Sequence, residues 1–327
     1  MRRKGAVPLS LAACLLAVVG GANPAQAIAH GEAADDGAYP FSVKLTMTDL
    51  PTPGGGRRDS SCSGGLIAPQ WVLTAGHCFK DVQGRRVSKP VARKTTATIG
   101  RADLRGTEGH VLTVVSVKQA KTTDVALAKL SKPVTDITPM RLNRSKPKVG
   151  QTVRLTGYGL TDGDDSRSPT RMQVGQFTVT SVSRTLLGMS GRSPRSDTSP
   201  CPHDSGGPYF STAKNGDVVV FGVVSGGPTC PHTGADRSGR VDTVASWILG
   251  VIGTDGPRPK SSTAPSTVAP APPAEQRPFV ARPQSSSAPA PYGLVLPVAG
   301  LIGGTALIAL LMSRRNRRPD RFRHRRH

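Results

Sequence analysis

Between residues 28 and 253 the chain repeatedly writes a short alternating stretch and then breaks it with a turn. Phe41-Ser-Val-Lys-Leu-Thr-Met47 alternates apolar and polar, as do Val111 to Val117 and Gln176 to Val182. Such a period of two puts successive side chains on opposite faces of a half-buried strand. Val218 to Val224 is an almost unbroken apolar run. Between these stretches lie clusters such as Pro51-Thr-Pro-Gly-Gly-Gly56 and Asp162-Gly-Asp-Asp165. No helical period of any length appears before Thr243. Many short strands separated by turn signals imply an all-β sandwich or barrel.

The two ends carry different chemistry. Met1-Arg-Arg-Lys4, an apolar stretch from Ala6 to Gly20 and the small-residue site Ala25-Gln-Ala27 read as a secretory signal peptide over residues 1–27. A competing reading takes Leu11-Ala-Ala-Cys14 as a lipoprotein cleavage box. Residues 254–291 are rich in Pro, Ala and Ser and poor in large apolar residues, which implies a disordered, extended linker. Residues 292–312 hold no charge. At about 1.5 Å per residue they suffice for one transmembrane helix across a core of about 30 Å. The basic tail, 313–327, carries eight arginines, and positive flanks stay cytoplasmic, which puts residues 28–253 outside the cell. Cell-wall anchoring through Leu296-Pro-Val-Ala-Gly300, which resembles a sortase motif, is the alternative. The formal net charge of +22 comes partly from these tail and leader cations. The rest is spread without interleaved aromatics, so no nucleic-acid partner is expected.

Three short motifs point to chemistry. Cys201-Pro-His-Asp-Ser-Gly-Gly-Pro208 presents Ser205 in a Gly-rich turn, Leu73-Thr-Ala-Gly-His-Cys78 presents His77, and Thr123-Asp-Val-Ala-Leu127 presents Asp124. A serine hydroxyl needs a base to take its proton, and an imidazole base needs a carboxylate to hold its tautomer. Of five cysteines, Cys14 leaves with the signal peptide, and the four that remain allow three pairings.

These motifs, in this order, make the chain resemble the trypsin/chymotrypsin family of secreted serine endopeptidases. Cys62-Ser-Gly-Gly-Leu-Ile67 with Trp71 to Cys78, Asp124-Val-Ala-Leu127, Asp204-Ser-Gly-Gly-Pro208, Gly222-Val-Val-Ser225 and Ser246-Trp-Ile248 carry the resemblance. It implies two antiparallel β-barrels with a C-terminal helix and a cleft between them, the crossover falling near Arg141 to Gly150. It selects the disulfides Cys62–Cys78 and Cys201–Cys230. It implies that Ser205 attacks the scissile carbonyl, His77 carries the proton and Asp124 orients His77.

The same resemblance assigns the oxyanion hole to the backbone N–H groups of Ser205 and His203. Family members usually have glycine at the position of His203, because the peptide there needs unusual dihedrals. A flipped peptide would leave a protease-like binding or scaffold domain rather than an enzyme. Pocket positions fall at Ser199, Ser225, Gly227 and Gly239. Neutral Ser199 and the two glycines imply cleavage after a large apolar residue, with a shifted Asp197 as the route to a basic preference. Ile28, directly after the cleavage site, is expected to free an ammonium that pairs with Asp204.

The remaining polar residues have plainer readings. His30, His110 and His232 read as exposed or structural, and Asp162, Asp164 and Asp165 as an acidic turn or, alternatively, calcium ligands. No Walker loop, dinucleotide fingerprint or zinc pattern is present, so no cofactor or metal is expected. The expected partners are a protein or peptide substrate and, through residues 292–312, the membrane. The protein is expected to be a monomer.

Overall fold

The computed structural model describes residues 28–163 and 169–253. The expected signal peptide, linker, transmembrane helix and basic tail lie outside these residues, as do Cys14, Asp164 and Asp165. Among the described residues no helix is long and apolar enough to cross a membrane.

Strands follow in order as β1 (Glu32–Ala33), β2 (Ser42–Pro51), β3 (Arg57–Ala68), β4 (Trp71–Thr74), β5 (Lys94–Ile99), β6 (His110–Gln119) and β7 (Ala126–Leu130). After the crossover come β8 (Arg141–Leu142), β9 (Thr152–Gly157), β10 (Gln173–Val182), β11 (Leu186–Ser193), β12 (Pro208–Thr212), β13 (Val218–Gly226) and β14 (Asp236–Arg240), and then helix α1 (Ala245–Ile252). The stretches that alternate in the sequence fall in β2, β6 and β10, as expected, with Phe41 directly preceding β2. β2 to β7 close into a barrel in the order β2-β3-β4-β7-β6-β5. The second half runs β10-β11-β14-β13-β12-β9, and the β9–β10 pairing closes it into a second barrel. The two-barrel, all-β expectation holds, with the short C-terminal helix in place.

Strands β12 and β13 are buried on both faces, which explains their lack of alternation. Tyr209 and Phe221 point into the second barrel with Phe177, Leu155 and Met189. Phe210, Val220 and Val223 point the other way, into the core of the first barrel, where Ile248 and Ile252 of α1 also pack. Phe210 sits edge-on to Phe41, ring centroids 5.0 Å apart, and to Tyr39 at 5.7 Å. The barrels thus share one apolar seam, and the cleft lies at its edge.

Both expected disulfides are formed, Cys62–Cys78 and Cys201–Cys230. Phe210→Ala, at a fully buried site, is expected to cost about 3–5 kcal/mol. Urea denaturation of wild type and variant measures it.

Candidate active site

The three sequence-predicted residues come from three turns. His77 lies in a single 3₁₀ turn, Gly76–Phe79, directly after β4. Asp124 lies just before β7, where Val125 N–H closes back onto the Thr123 carbonyl. His77 and Asp124 meet twice. The His77 backbone N–H donates to Asp124 Oδ1 at 2.8 Å, and the ring Nδ1 lies 2.7 Å from Oδ2. Ser225 Oγ donates to the same Oδ2 at 2.7 Å. A bulge in β13 makes that contact possible. Val224 pairs with Ser238 and Gly226 with Arg237, which leaves Ser225 as the extra residue, turned toward Asp124. Burial works to raise the Asp124 carboxyl, but the His77 ring, the Ser225 hydroxyl and the His77 N–H outweigh it and hold the group below its ordinary value. Ser225, expected in the specificity pocket, turns its hydroxyl to Asp124.

Ser205 occupies a turn locked from both barrels. Gly207 N–H donates to the Asp204 carbonyl, and Gly206 N–H to Val224 O, each at 2.8 Å. Ser63, on β3 of the first barrel, receives the rest: its N–H donates to the Ser205 carbonyl at 2.8 Å, and its Oγ to the His203 carbonyl at 3.1 Å. Gly206 has φ of +83°, and a Cβ there would stand 2.1 Å from Thr74 Oγ1, so only glycine fits this turn.

His203 adopts the conformation a glycine would take, with φ of +78°. Its ring is drawn aside, Nδ1 lying 3.0 Å from the Ser61 carbonyl. The preceding peptide is not flipped, because the Pro202 carbonyl accepts from Leu160 N–H at 2.8 Å. Among the described residues, neither His203 N–H nor Ser205 N–H has an acceptor. Histidine therefore leaves both donors free at the cost of a left-handed backbone, a region uncommon but accessible to it.

Asp204 is fully buried. Its carboxylate accepts from Gly159 N–H at 2.8 Å, from Cys201 N–H at 2.9 Å, and from the backbone N–H of Ile28. Burial nevertheless dominates and pushes this carboxyl up to about 7, against those three donors and the charge of Lys44. Ile28 is itself fully buried in the second barrel, so the expected pair is adjacent.

The pocket differs from expectation in composition. A cavity of about 320 Å³ opens beside Ser205, lined by Cys201, Val224, Gly226, Gly227, Cys230 and Asp236 among others. Gly227 is there as expected. Gly239 is not: a Cβ on it would meet the Asp124 carbonyl and Val125, behind the His77–Asp124 pair. Within β14 it falls on the strand face opposite the cavity, and Asp236 supplies the wall. Ser199 is fully buried and absent from the lining, its N–H and carbonyl tied to Ala29. Asp197 does not swing in, being held by Arg195 at 2.9 Å and His30 at 2.9 Å.

Asp236 is 1% exposed, and neither carboxylate oxygen has a hydrogen-bond partner among the described residues. Its Oδ1 presses so close to Gly227 that a Cβ there would lie 1.9 Å away. His232 Nε2 stands 3.2 Å from the same oxygen without hydrogen-bond geometry. Burial, reinforced by Asp204, lifts the Asp236 carboxyl to about 8, while burial lowers His232. Sequence reading missed Asp236 because it sought small residues for the wall. The available signal was an acid opening a strand directly after the Cys230 loop.

The Trypsin family model matches residues 28–248, and the chain belongs to that family. It is 28% identical over 207 residues to the Beta-fibrinogenase-like protein of Daboia siamensis, covering 58% of this chain and 77% of that one. Thrombin-like enzyme elegaxobin-1 of Protobothrops elegans is 29% identical over 217 residues, covering 59% of this chain and 87% of that protein. Transmembrane protease serine 9 of Rattus norvegicus is 28% identical over 244 residues, which are 68% of this chain but 21% of the rat protein.

Asp204 and Asp236 set a pH dependence while Ile28 is still joined to residues 1–27. Their carboxyls are raised, from 3.8 to about 7 and about 8, so the folded state holds more protons than the unfolded state between those limits. Stability therefore falls as pH rises from 4 to 8, by up to about 1.4 kcal/mol per unit for each group. Thermal melts across this range are expected to show the decline, and Asp204→Asn to flatten its lower part.

Proposed function

We propose that this protein is a serine endopeptidase in which Ser205, His77 and Asp124 cut peptide bonds through an acyl-enzyme. The observation that carries this reading is the 2.7 Å contact of His77 Nδ1 with Asp124 Oδ2, beside a serine turn that both barrels hold. With Nδ1 engaged, Nε2 is the nitrogen left to take the proton from Ser205 Oγ as that oxygen attacks the carbonyl. The backbone N–H groups of His203 and Ser205, which have no other acceptor among the described residues, are the donors for the oxyanion. Collapse of the tetrahedral intermediate expels the amine with the proton from His77, and water then releases the acyl group by the reverse sequence. The unflipped Pro202–His203 peptide supports this reading over a binding-only domain.

Asp236 argues for cleavage after lysine or arginine rather than after a large apolar residue. A buried carboxylate without a hydrogen-bond partner, in the wall of the cavity beside Ser205, gains most from a cationic side chain. The free carboxyl is proton-holding near neutrality, and an entering guanidinium or ammonium favours its ionised form.

Release of Ile28 by cleavage after Ala27 supplies Asp204 with an ammonium in place of a peptide N–H. Export through residues 1–27 and anchoring through residues 292–312, with the enzyme outside the cell, complete the reading.

Protein exported so that Ile28 is its free N-terminus, treated with a serine-reactive fluorophosphonate, is expected to carry the adduct on Ser205, and His77→Ala to abolish it. Absence of labelling in folded protein would sink the catalytic reading. Peptides differing only in the residue before the cut are expected to show Lys and Arg preferred over Leu and Phe. Asp236→Asn is expected to reduce kcat/KM for the Lys and Arg peptides by roughly 10²-fold or more. A wild-type preference for Leu or Phe defeats the assignment of Asp236.

A further inference from the structure

A second cavity, of about 430 Å³, is lined by His77 and has a distinct chemistry. Its lining includes Asp124 and Ser225 and the cations Lys80, Arg86 and Lys121. None of the three cations joins an ion pair among the described residues. The nearest acid in sequence, Asp81, is taken by Arg85 at 2.7 Å. The one carboxylate in the wall, Asp124, is committed to His77 and Ser225. The cations are also held together by the backbone. Lys80 and Arg86 form an antiparallel bridge, and Arg86 Nη2 donates to the Lys121 carbonyl at 2.9 Å.

Past Val223, where its pairing with β12 ends, β13 has one open side, and this edge relates the cavity to the first one. Val224 and Gly226 line the Asp236 cavity, and Ser225 between them lines the cationic one. A peptide laid along this edge as a strand sends successive side chains to opposite faces. With the residue before the cut bond in the Asp236 cavity, the residue preceding it faces the cations, and so does the one two positions further upstream.

We propose that the cationic cavity is a subsite for acidic residues, taking Asp or Glu at the second and fourth positions before the cut bond. The register rests on the placement of Ser205 and the Asp236 cavity proposed above. The substrate class is thus an acidic segment ending in a single lysine or arginine. Three unpaired cations lining one concavity reinforce one another in a way that isolated surface charges do not.

The test is binding to the exported protein, beginning at Ile28 and carrying Ser205→Ala, which separates recognition from catalysis. Fluorescein-labelled Glu-Ala-Glu-Lys-Ala is compared with Gln-Ala-Gln-Lys-Ala by anisotropy. The Glu peptide is expected to bind about tenfold more tightly at about 50 mM salt, and about twofold more tightly at about 0.5 M, where exposed charges are screened. The double reversal Lys80→Glu with Lys121→Glu is expected to invert the order, so that Lys-Ala-Lys-Lys-Ala binds best. Misfolding cannot create that gained preference. Equal binding of the Glu and Gln peptides, absence of binding by either, or a Glu preference that survives the reversal would each overturn the proposal. Fluorophosphonate labelling of the wild type reports on Ser205 independently of these peptides, so the catalytic reading and this one can fail separately.

Discussion

A carboxylate with no access to solvent holds the centre of this protein together. Asp204 accepts backbone N–H groups from Ile28, Gly159 and Cys201, three points far apart in the chain. It therefore fastens the start of the domain and the turn after β9 to the segment that precedes Ser205. A buried charge is tolerated only where donors surround it, so the turn has little freedom once these contacts form. Cβ atoms on Gly157 or Gly159 would collide with the same carboxyl, and the close approach explains glycine there.

Around that carboxylate the two barrels meet through Ser63. This one buried residue of β3 donates its N–H and its hydroxyl to the carbonyls of Ser205 and His203, takes the N–H of Tyr158 on its own Oγ, and accepts Thr74 Oγ1 at its carbonyl. The first barrel, which carries His77 and Asp124, is by these bonds in register with the turn that carries Ser205. The apolar seam of Phe41, Phe210 and Val223 beneath it supplies the burial, and the hydrogen bonds supply the alignment. His203 keeps a left-handed backbone because its ring and its carbonyl each have a partner on β3, over-determining a conformation it adopts less readily than glycine.

Legibility differed between residues for physical reasons. The alternation at Phe41 to Met47 and Gln176 to Val182 made strands readable, since one face of each is buried and the period of two follows. The turn chemistry at Ser205 and the order of the three motifs made those residues readable too. Gly239 misled, because a glycine suits an open pocket wall and a close backbone approach equally well, and the sequence does not distinguish them. The orientation of Ser225 was not legible either: without the bulge in β13 it would face elsewhere.

The sequence by itself determined the β class, the cysteines available for pairing and the three residues proposed as nucleophile, base and orienting group, because these depend on local pattern and residue type. Only the tertiary structure decided which side chains share a cavity. Asp236 reaches the wall beside Ser205 through the strand face that β14 presents, and Lys80, Arg86 and Lys121 converge from three points of the chain, the first two joined by a backbone bridge and the third by one arginine hydrogen bond. Such convergence depends on register and crossing in three dimensions, and a one-dimensional pattern does not encode it where charge, not burial, is what the residues share.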